Sequence, residues 1–168
     1  MMPDYKQQVV NFFNKRIAYD AEGKKHPREA KRLLKSVSIT SGHKILDIAT
    51  GTGLVAIPAA KKVTNEGSVV GVDLSSGMLH QAQKKIIAEG LDNIELIETD
   101  VELIKFDAEQ FDLIFCCSAI TYISDIPAIL NHCHNWLKTG GYLAFTCPYK
   151  SSYMAEIKLK ICKEFMGN

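Results

Sequence analysis

Asp47, Ala49, Gly51 and Gly53 alternate through Leu46-Asp47-Ile48-Ala49-Thr50-Gly51-Thr52-Gly53, and Asp73 follows in Val70-Gly71-Val72-Asp73-Leu74. Small residues let a backbone close on a ligand, and the start of a helix presents N–H groups that have no helical partner. A carboxylate at the end of the next strand accepts both hydroxyls of a ribose. Together they point to an adenosine-containing cofactor. Which one stays open at this level, because Gly51-Thr52-Gly53-Leu54-Val55-Ala56 also satisfies G-x-G-x-x-A, a variant of the dinucleotide fingerprint.

Other residues invite chemical readings of their own. His26 and His80 fall near expected loops or helix starts and are the histidines placed to serve as a general base, although His80 falls on the exposed side of its helix. His132-Cys133-His134 looks metal-binding at a glance. On a helix, residues two apart face different directions, so one zinc does not take both histidines and no metal is expected.

The elements that must position these residues begin with helices. Tyr5, Val9, Phe13 and Ile17 recur at i, i+4, and Pro27 opens a second helix whose apolar face is Ala30, Leu33, Leu34 and Val37. From Lys44 strand and helix alternate. The strand candidates are Ile45–Ala49, Ser68–Val72, Ile94–Glu98, Phe111–Cys117 and Tyr142–Thr146, with helices at about 54–63, 76–89 and 126–138. Pro58 fits the first turn of its helix, whose N–H groups lack partners anyway. The 99–110 link is too short and acidic for a long helix. Met154, Ile157, Ile161 and Phe165 predict a closing helix over 151–166. Apolar strands joined by short helical crossovers imply an α/β fold with a doubly wound, mostly parallel sheet of about five strands.

At 168 residues, with 46% apolar and 23% charged residues, the chain fits one globular domain. No apolar run reaches the roughly 20 residues that span a bilayer, and MMPDYKQQVV lacks the apolar block of a secretion signal. Five cysteines without C-x-x-C spacing favour reduced thiols and a cytoplasmic location. The net charge of +1 argues against a dominant polyanion partner, so nucleic acid is not expected. The charge is nonetheless uneven. Residues 1–44 hold ten Lys/Arg against four Asp/Glu, and residues 45–168 hold ten against fifteen. A solvated helix face and attraction of an anionic ligand both account for this.

The loop also parses as Asp47-x-Ala49-x-Gly51-x-Gly53 after Lys44-Ile45-Leu46, and here the sequence resembles the class I S-adenosylmethionine-dependent methyltransferases. Asp47 separates the two parses. A carboxylate there repels a bare pyrophosphate but favours the sulfonium and α-ammonium of S-adenosylmethionine. The resemblance continues through Gly71–Leu79, implying that Asp73 holds the ribose and that Leu74 lies against adenine. It runs on through Glu98–Glu102, implying that Asp100 accepts from the adenine amino group, and through Phe111–Ser118, whose end borders the methionine portion. Leu137-Lys138-Thr139-Gly140-Gly141 matches the family's turn into the fifth strand, with Thr139 where proline is usual. The small-molecule branch similar to ubiquinone/menaquinone-biosynthesis methyltransferases fits best, with its Ala-Thr-Gly-Thr-Gly loop and amino-terminal Tyr19-Asp20.

The resemblance implies cofactor contacts from Tyr19, Asp47, Ala49, Gly51, Gly53, Asp73, Leu74, Met78, Asp100, Val101, Cys117 and Ser118. Helix capping by Asp47 and core packing of Leu74, Met78 and Val101 are the ordinary alternatives. The expected division is a helical cover over 1–40, a Rossmann-like core over 44–148, and the 151–166 helix, all within a single S-adenosylmethionine-binding domain spanning 1–168. The expected activity is methyl transfer to an O, N or C atom of a small metabolite, leaving S-adenosylhomocysteine. A non-catalytic binding module and an NAD-dependent oxidoreductase are the rivals. The signatures of nucleic-acid base methylation are missing: Cys147-Pro148 reverses the order that a cytosine-5 enzyme needs, and Cys116-Cys117-Ser118-Ala119 replaces Asp/Asn-Pro-Pro-aromatic.

Two departures carry expectations of their own. Ala49 in place of the first glycine costs little if its φ is negative. Only 22 residues follow Thr146, too few for the family's sixth and antiparallel seventh strands beside a helix, which implies a truncated piece, a fragment or a naturally shortened relative. An open fifth-strand edge favours self-association into a homo-oligomer.

Overall fold

The computed structural model describes residues 3–148 and 154–160. A six-stranded sheet carries the molecule in the order β3-β2-β1-β4-β5-β6. β1 (Lys44–Ile48), β2 (Ser68–Asp73), β3 (Ile94–Glu98), β4 (Phe111–Cys116) and β5 (Leu137–Pro148) run parallel. β1 reads Lys-Ile-Leu-Asp-Ile with all but the lysine buried, because the central strand is covered on both faces. α3 (Ala56–Val63) and α4 (Ser76–Ala88) are the crossovers around β2, and α5 (Ile126–Trp136) precedes β5. Pro58 does fall in the first turn of α3, where a missing N–H is tolerated.

Two buried clusters flank the sheet. One packs Leu46, Ile48, Ile114, Ile129 and Trp136, and the other Ile45, Phe115, Ala56 and Val63 with Leu33 and Leu34 of α2 (Lys25–Lys35). The apolar face expected of α2 is therefore core.

Three expectations need correction. Met154–Lys160, inside the expected 151–166 helix, is strand β6, antiparallel to β5 from Tyr142↔Lys160 to Pro148↔Met154; the rest of that range lies outside the described residues. Glu156-Ile157-Lys158-Leu159-Lys160 alternates with period two, and pairing with β5 satisfies backbone groups that an edge would leave open. The edge is accordingly β6 and not β5, so the premise for self-association through β5 fails. Ile17 leaves the helical stripe: α1 (Pro3–Asn14) ends because Asn14 turns its side chain to the start of α4, and Ile17 is 85% exposed.

Candidate functional site

The strand ends and the amino-terminal segment enclose one large cavity of about 1050 Å³, its open mouth included. It sits at the carboxyl ends of the parallel strands, beside β1 where the strand order reverses. Its floor is the β1–α3 loop, Ala49 to Val55, and the ends of β2, β3 and β4 form its sides. Lys6, Val9 and Phe13 of α1, Tyr19, and His26 and Ala30 of α2 close over it.

Ala49, at φ +53, and Gly51, at φ +56, both lie in the left-handed region, which lets the chain reverse tightly between β1 and α3. The condition on which Ala49 would cost little, a negative φ, is thus not met. An alanine there carries strain of roughly 1–2 kcal/mol, held in place by the surrounding loop. Gly53 lies outside the cavity wall. At φ +80, with a Cβ that would meet Ile57 Cδ1 at 2.9 Å, its role is close packing of the loop on α3.

Asp47 is 1% exposed. It accepts a hydrogen bond from Thr50 Oγ1 at 2.7 Å and another from the backbone of Ala56, the first residue of α3. Capping and cavity lining are both true of it. Burial pushes its carboxyl up to about 7, with the neighbouring Asp73 adding to the rise and the two hydrogen bonds opposing it. Asp73 ends β2 and faces the loop. Its Oδ2 accepts from Gly51 N and its Oδ1 from Ser75 N, each at 2.8 Å. Burial raises this acid too, against those amides. The Leu74 amide bears on it as well, and a carboxylate with about four acceptor positions keeps capacity for a ligand.

Asp100 and Val101, after β3, line the opposite wall with Glu102. Both acids pair with Lys6 of α1, so the cover is tied to this wall. Leu74 and Met78 complete that side. At the end of β4, Cys117 and Ser118 enter the wall, and burial pushes the Cys117 thiol up to about 11. Ser118, at φ +57, donates its N–H to Thr146 Oγ1 and its hydroxyl to Glu29 Oε2, each at 2.6 Å.

Tyr19 lines the cavity, stacked on His26 with ring centroids 4.9 Å apart and with the Arg16 guanidinium 4.4 Å from its ring centre. Burial pushes its phenol up to about 12. His26 lines the cavity and burial lowers its pKa, whereas His80 is exposed and absent from the wall. Of the twelve residues expected to contact a cofactor, eleven share this cavity; Gly53 alone does not.

Sequence reasoning missed the polar ties of the cover. Asp20 accepts from Thr52 Oγ1 at 2.6 Å and pairs with Lys85 of α4 at 2.7 Å. Asn14 Oδ1 accepts from Ser75 Oγ and Gly77 N, and Gln81 donates to the Arg16 carbonyl. The pair Tyr19-Asp20 was the available signal, and only for Asp20. Among the described residues no group of three or more His, Cys, Asp or Glu stands ready to hold a metal ion.

A parallel sheet in this order, with paired acids at the ends of its first two strands, defines a Rossmann-like nucleoside-binding α/β protein. Residues 45–141 match the family described as "Methyltransferase domain", and the chain belongs to it, as a class I methyltransferase. It is 35% identical over 146 residues to the aklanonic acid methyltransferase DauC of a Streptomyces species, covering 86% of this chain and 66% of that one. It is 31% identical over 118 residues to the demethylmenaquinone methyltransferase of Staphylococcus saprophyticus, covering 70% and 50%. The chain spans about half to two thirds of the length of these curated relatives. A SAM-dependent methyltransferase from Aquifex aeolicus shares the fold at a TM-score of 0.69 and 23% identity, covering 79% of this chain and 71% of that one. So does the Haemonchus contortus phosphoethanolamine N-methyltransferase 1, in complex with phosphoethanolamine and S-adenosylhomocysteine, at a TM-score of 0.74 and 17% identity, covering 90% and 34%.

Proposed function

We propose that the chain is one S-adenosylmethionine-binding domain that transfers the methyl group to an O, N or C atom of a small metabolite. One observation carries this: among the described residues four carboxyl side chains, Asp47, Asp73, Asp100 and Glu102, enter the cavity wall, and the one lysine there, Lys6, is already paired with two of them. Such a wall favours a cationic nucleoside and opposes a diphosphate, which disfavours a nicotinamide dinucleotide. When bound, S-adenosylmethionine supplies a methyl group activated by its sulfonium.

The residues have distinct tasks in this reading. The remaining acceptor capacity of Asp73 takes the ribose hydroxyls, its orientation preset by the Gly51, Ser75 and Leu74 amides. Asp47 faces the α-ammonium across the Ala49–Gly51 turn, and Cys117 and Ser118 border the amino-acid end. Leu74, Met78 and Val101 flank adenine, with Asp100 at its edge. Tyr19 and Phe13 close the cavity and hold the acceptor in line with the methyl. Alignment of this kind can lower a barrier by about 7–11 kcal/mol.

The apolar side chains of Phe13, Tyr122 and Ile123 in the same wall support an acceptor with an apolar body. The names of the related aklanonic acid and demethylmenaquinone enzymes agree with this. The partner is a small molecule and not nucleic acid, and the setting is cytoplasmic; Cys116, Cys117, Cys133 and Cys147 are free thiols, and no described helix is long and apolar enough to cross a membrane. A homo-oligomer would pair along β6, which sedimentation at several concentrations reads. Calorimetric titration tests the central proposal. S-adenosylhomocysteine should bind with a roughly micromolar Kd and NADH should not; NADH binding without S-adenosylhomocysteine binding would overturn it. Binding without turnover on any acceptor would leave a non-catalytic module.

A further inference from the structure

The segment from Lys15 to Lys35 holds eight Lys/Arg and three Asp/Glu. Each of the three acids is taken up locally. Asp20 serves Thr52 and Lys85, Glu22 pairs with Arg16, and Glu29 turns inward to Ser118. The cations point the other way. Lys15, Lys24, Lys25, Arg28, Lys31, Arg32 and Lys35 are all exposed, and most lie on the α2 face opposite buried Ala30, Leu33 and Leu34. The inward face of α2 is core and its outward face carries the charge.

Apolar groups adjoin this charge. Ile17 is 85% exposed and Phe12 55%. Arg16 spans the Phe12, Phe13 and Tyr19 rings, and Tyr19 stacks on His26 in the first turn of α2, so a chain of ring contacts ties the end of α1 and the 15–17 turn to α2. The same segment forms the cover of the cavity.

We propose that this surface, the outer face of α2 with Lys15, Phe12 and Ile17, docks the protein on an anionic phospholipid bilayer. Lysine and arginine clusters are drawn to anionic headgroups within about a Debye length, and a few apolar side chains entering the headgroup boundary add a short-range hold. Exposed aliphatic Ile17 is what favours lipid over nucleic acid, since a phosphodiester backbone offers an isoleucine nothing to bury against. Docking here places the cover, and the cavity behind it, against the bilayer. The surface itself does not depend on what the cavity binds.

Cosedimentation with vesicles tests it. The intact protein should bind vesicles containing about 30 mol% phosphatidylglycerol in phosphatidylcholine at least about tenfold better than phosphatidylcholine alone, and about 0.5 M NaCl should release it. Lys25→Gln/Arg28→Gln/Lys31→Gln should lose about tenfold in vesicle binding with unchanged affinity for S-adenosylhomocysteine. Ile17→Ser should weaken binding even at low salt, which charge alone does not explain. Equal binding to neutral vesicles, no binding at low salt, or preference for duplex DNA or RNA over vesicles would overturn the proposal. Failure here with S-adenosylhomocysteine still bound would leave the proposed activity standing.

Discussion

The buried carboxyl of Asp47 makes ligand binding depend on pH in a direction fixed by its surroundings. In the free protein burial holds it near 7, so at pH 6 the neutral acid outnumbers the carboxylate about tenfold, and at pH 7 they are equal. An α-ammonium beside it favours the carboxylate and lowers its pKa in the complex. The ionised form is the one that binds, and affinity must rise with pH. Relative to its high-pH limit, Kd is about elevenfold weaker at pH 6 and about twofold weaker at pH 7, a gain of about fivefold or roughly 1 kcal/mol across the unit. Isothermal titration with S-adenosylhomocysteine reads this directly. At pH 7 it should also show about half a proton released per ligand, from heats in two buffers. Asp47→Asn should weaken binding and flatten the slope. A wild-type Kd unchanged from pH 6 to pH 7, or an equal slope in Asp47→Asn, would refute the pairing. The same group acts on stability with its sign reversed. Its folded pKa lies above the ordinary 3.8, so the neutral acid stabilises the fold at low pH, and this is lost as pH rises through about 7. The loss is on the order of 4 kcal/mol. Ligand-free Asp47→Asn should therefore melt above wild type at pH 8 and level with it near pH 4.

Asp73→Ala removes two ribose hydrogen bonds and leaves the Gly51 and Ser75 amides without their acceptor. At about 1.5 kcal/mol each the ribose bonds alone predict a loss of roughly a hundredfold in S-adenosylhomocysteine affinity by calorimetry. Ala49→Gly relieves a positive φ and should raise stability by about 1 kcal/mol in urea unfolding, net of the glycine entropy cost. Gly53→Ala should lower it by about 1–3 kcal/mol, because the added Cβ meets Ile57 at 2.9 Å on a backbone at φ +80.

The parallel core was legible because its signals are local. β1 is a buried apolar run, the alternating small residues after it mark the loop, and Ser75 begins α4 by accepting from Met78 N as a helix cap should. β6 was not legible as a strand. Met154, Ile157 and Ile161 fit a helical stripe as well as Ile157 and Leu159 fit a strand, and the deciding fact is the unpaired side of β5, which no local window contains. Ala49 misled for a related reason: its φ is imposed by the turn around it, against its own preference. Asp47, Asp73 and Asp100 followed from strand ends, whereas Glu102 reads as a solvated acid in the sequence; Lys6 crossing to Asp100 and Glu29 crossing to Ser118 join residues 94 and 89 apart, and no spacing rule encodes them.

Those long-range ties divide the cover into two parts of unequal hold. α2 contributes Ala30, Leu33 and Leu34 to a buried cluster, so moving it exposes apolar core. None of the α1 residues from Tyr5 to Asn14 belongs to either buried cluster. Its ties include those of Lys6 and Asn14 and the edge-on packing of Phe13 against Tyr122, and just beyond its end the carbonyl of Arg16 accepts from Gln81. Partly solvated polar ties of this kind are individually worth about 1 kcal/mol or less. Lys6 of this helix also offsets the charge of Asp100 and Glu102 in the cavity wall, so the cover takes part in the electrostatics of the site as well as in its shape.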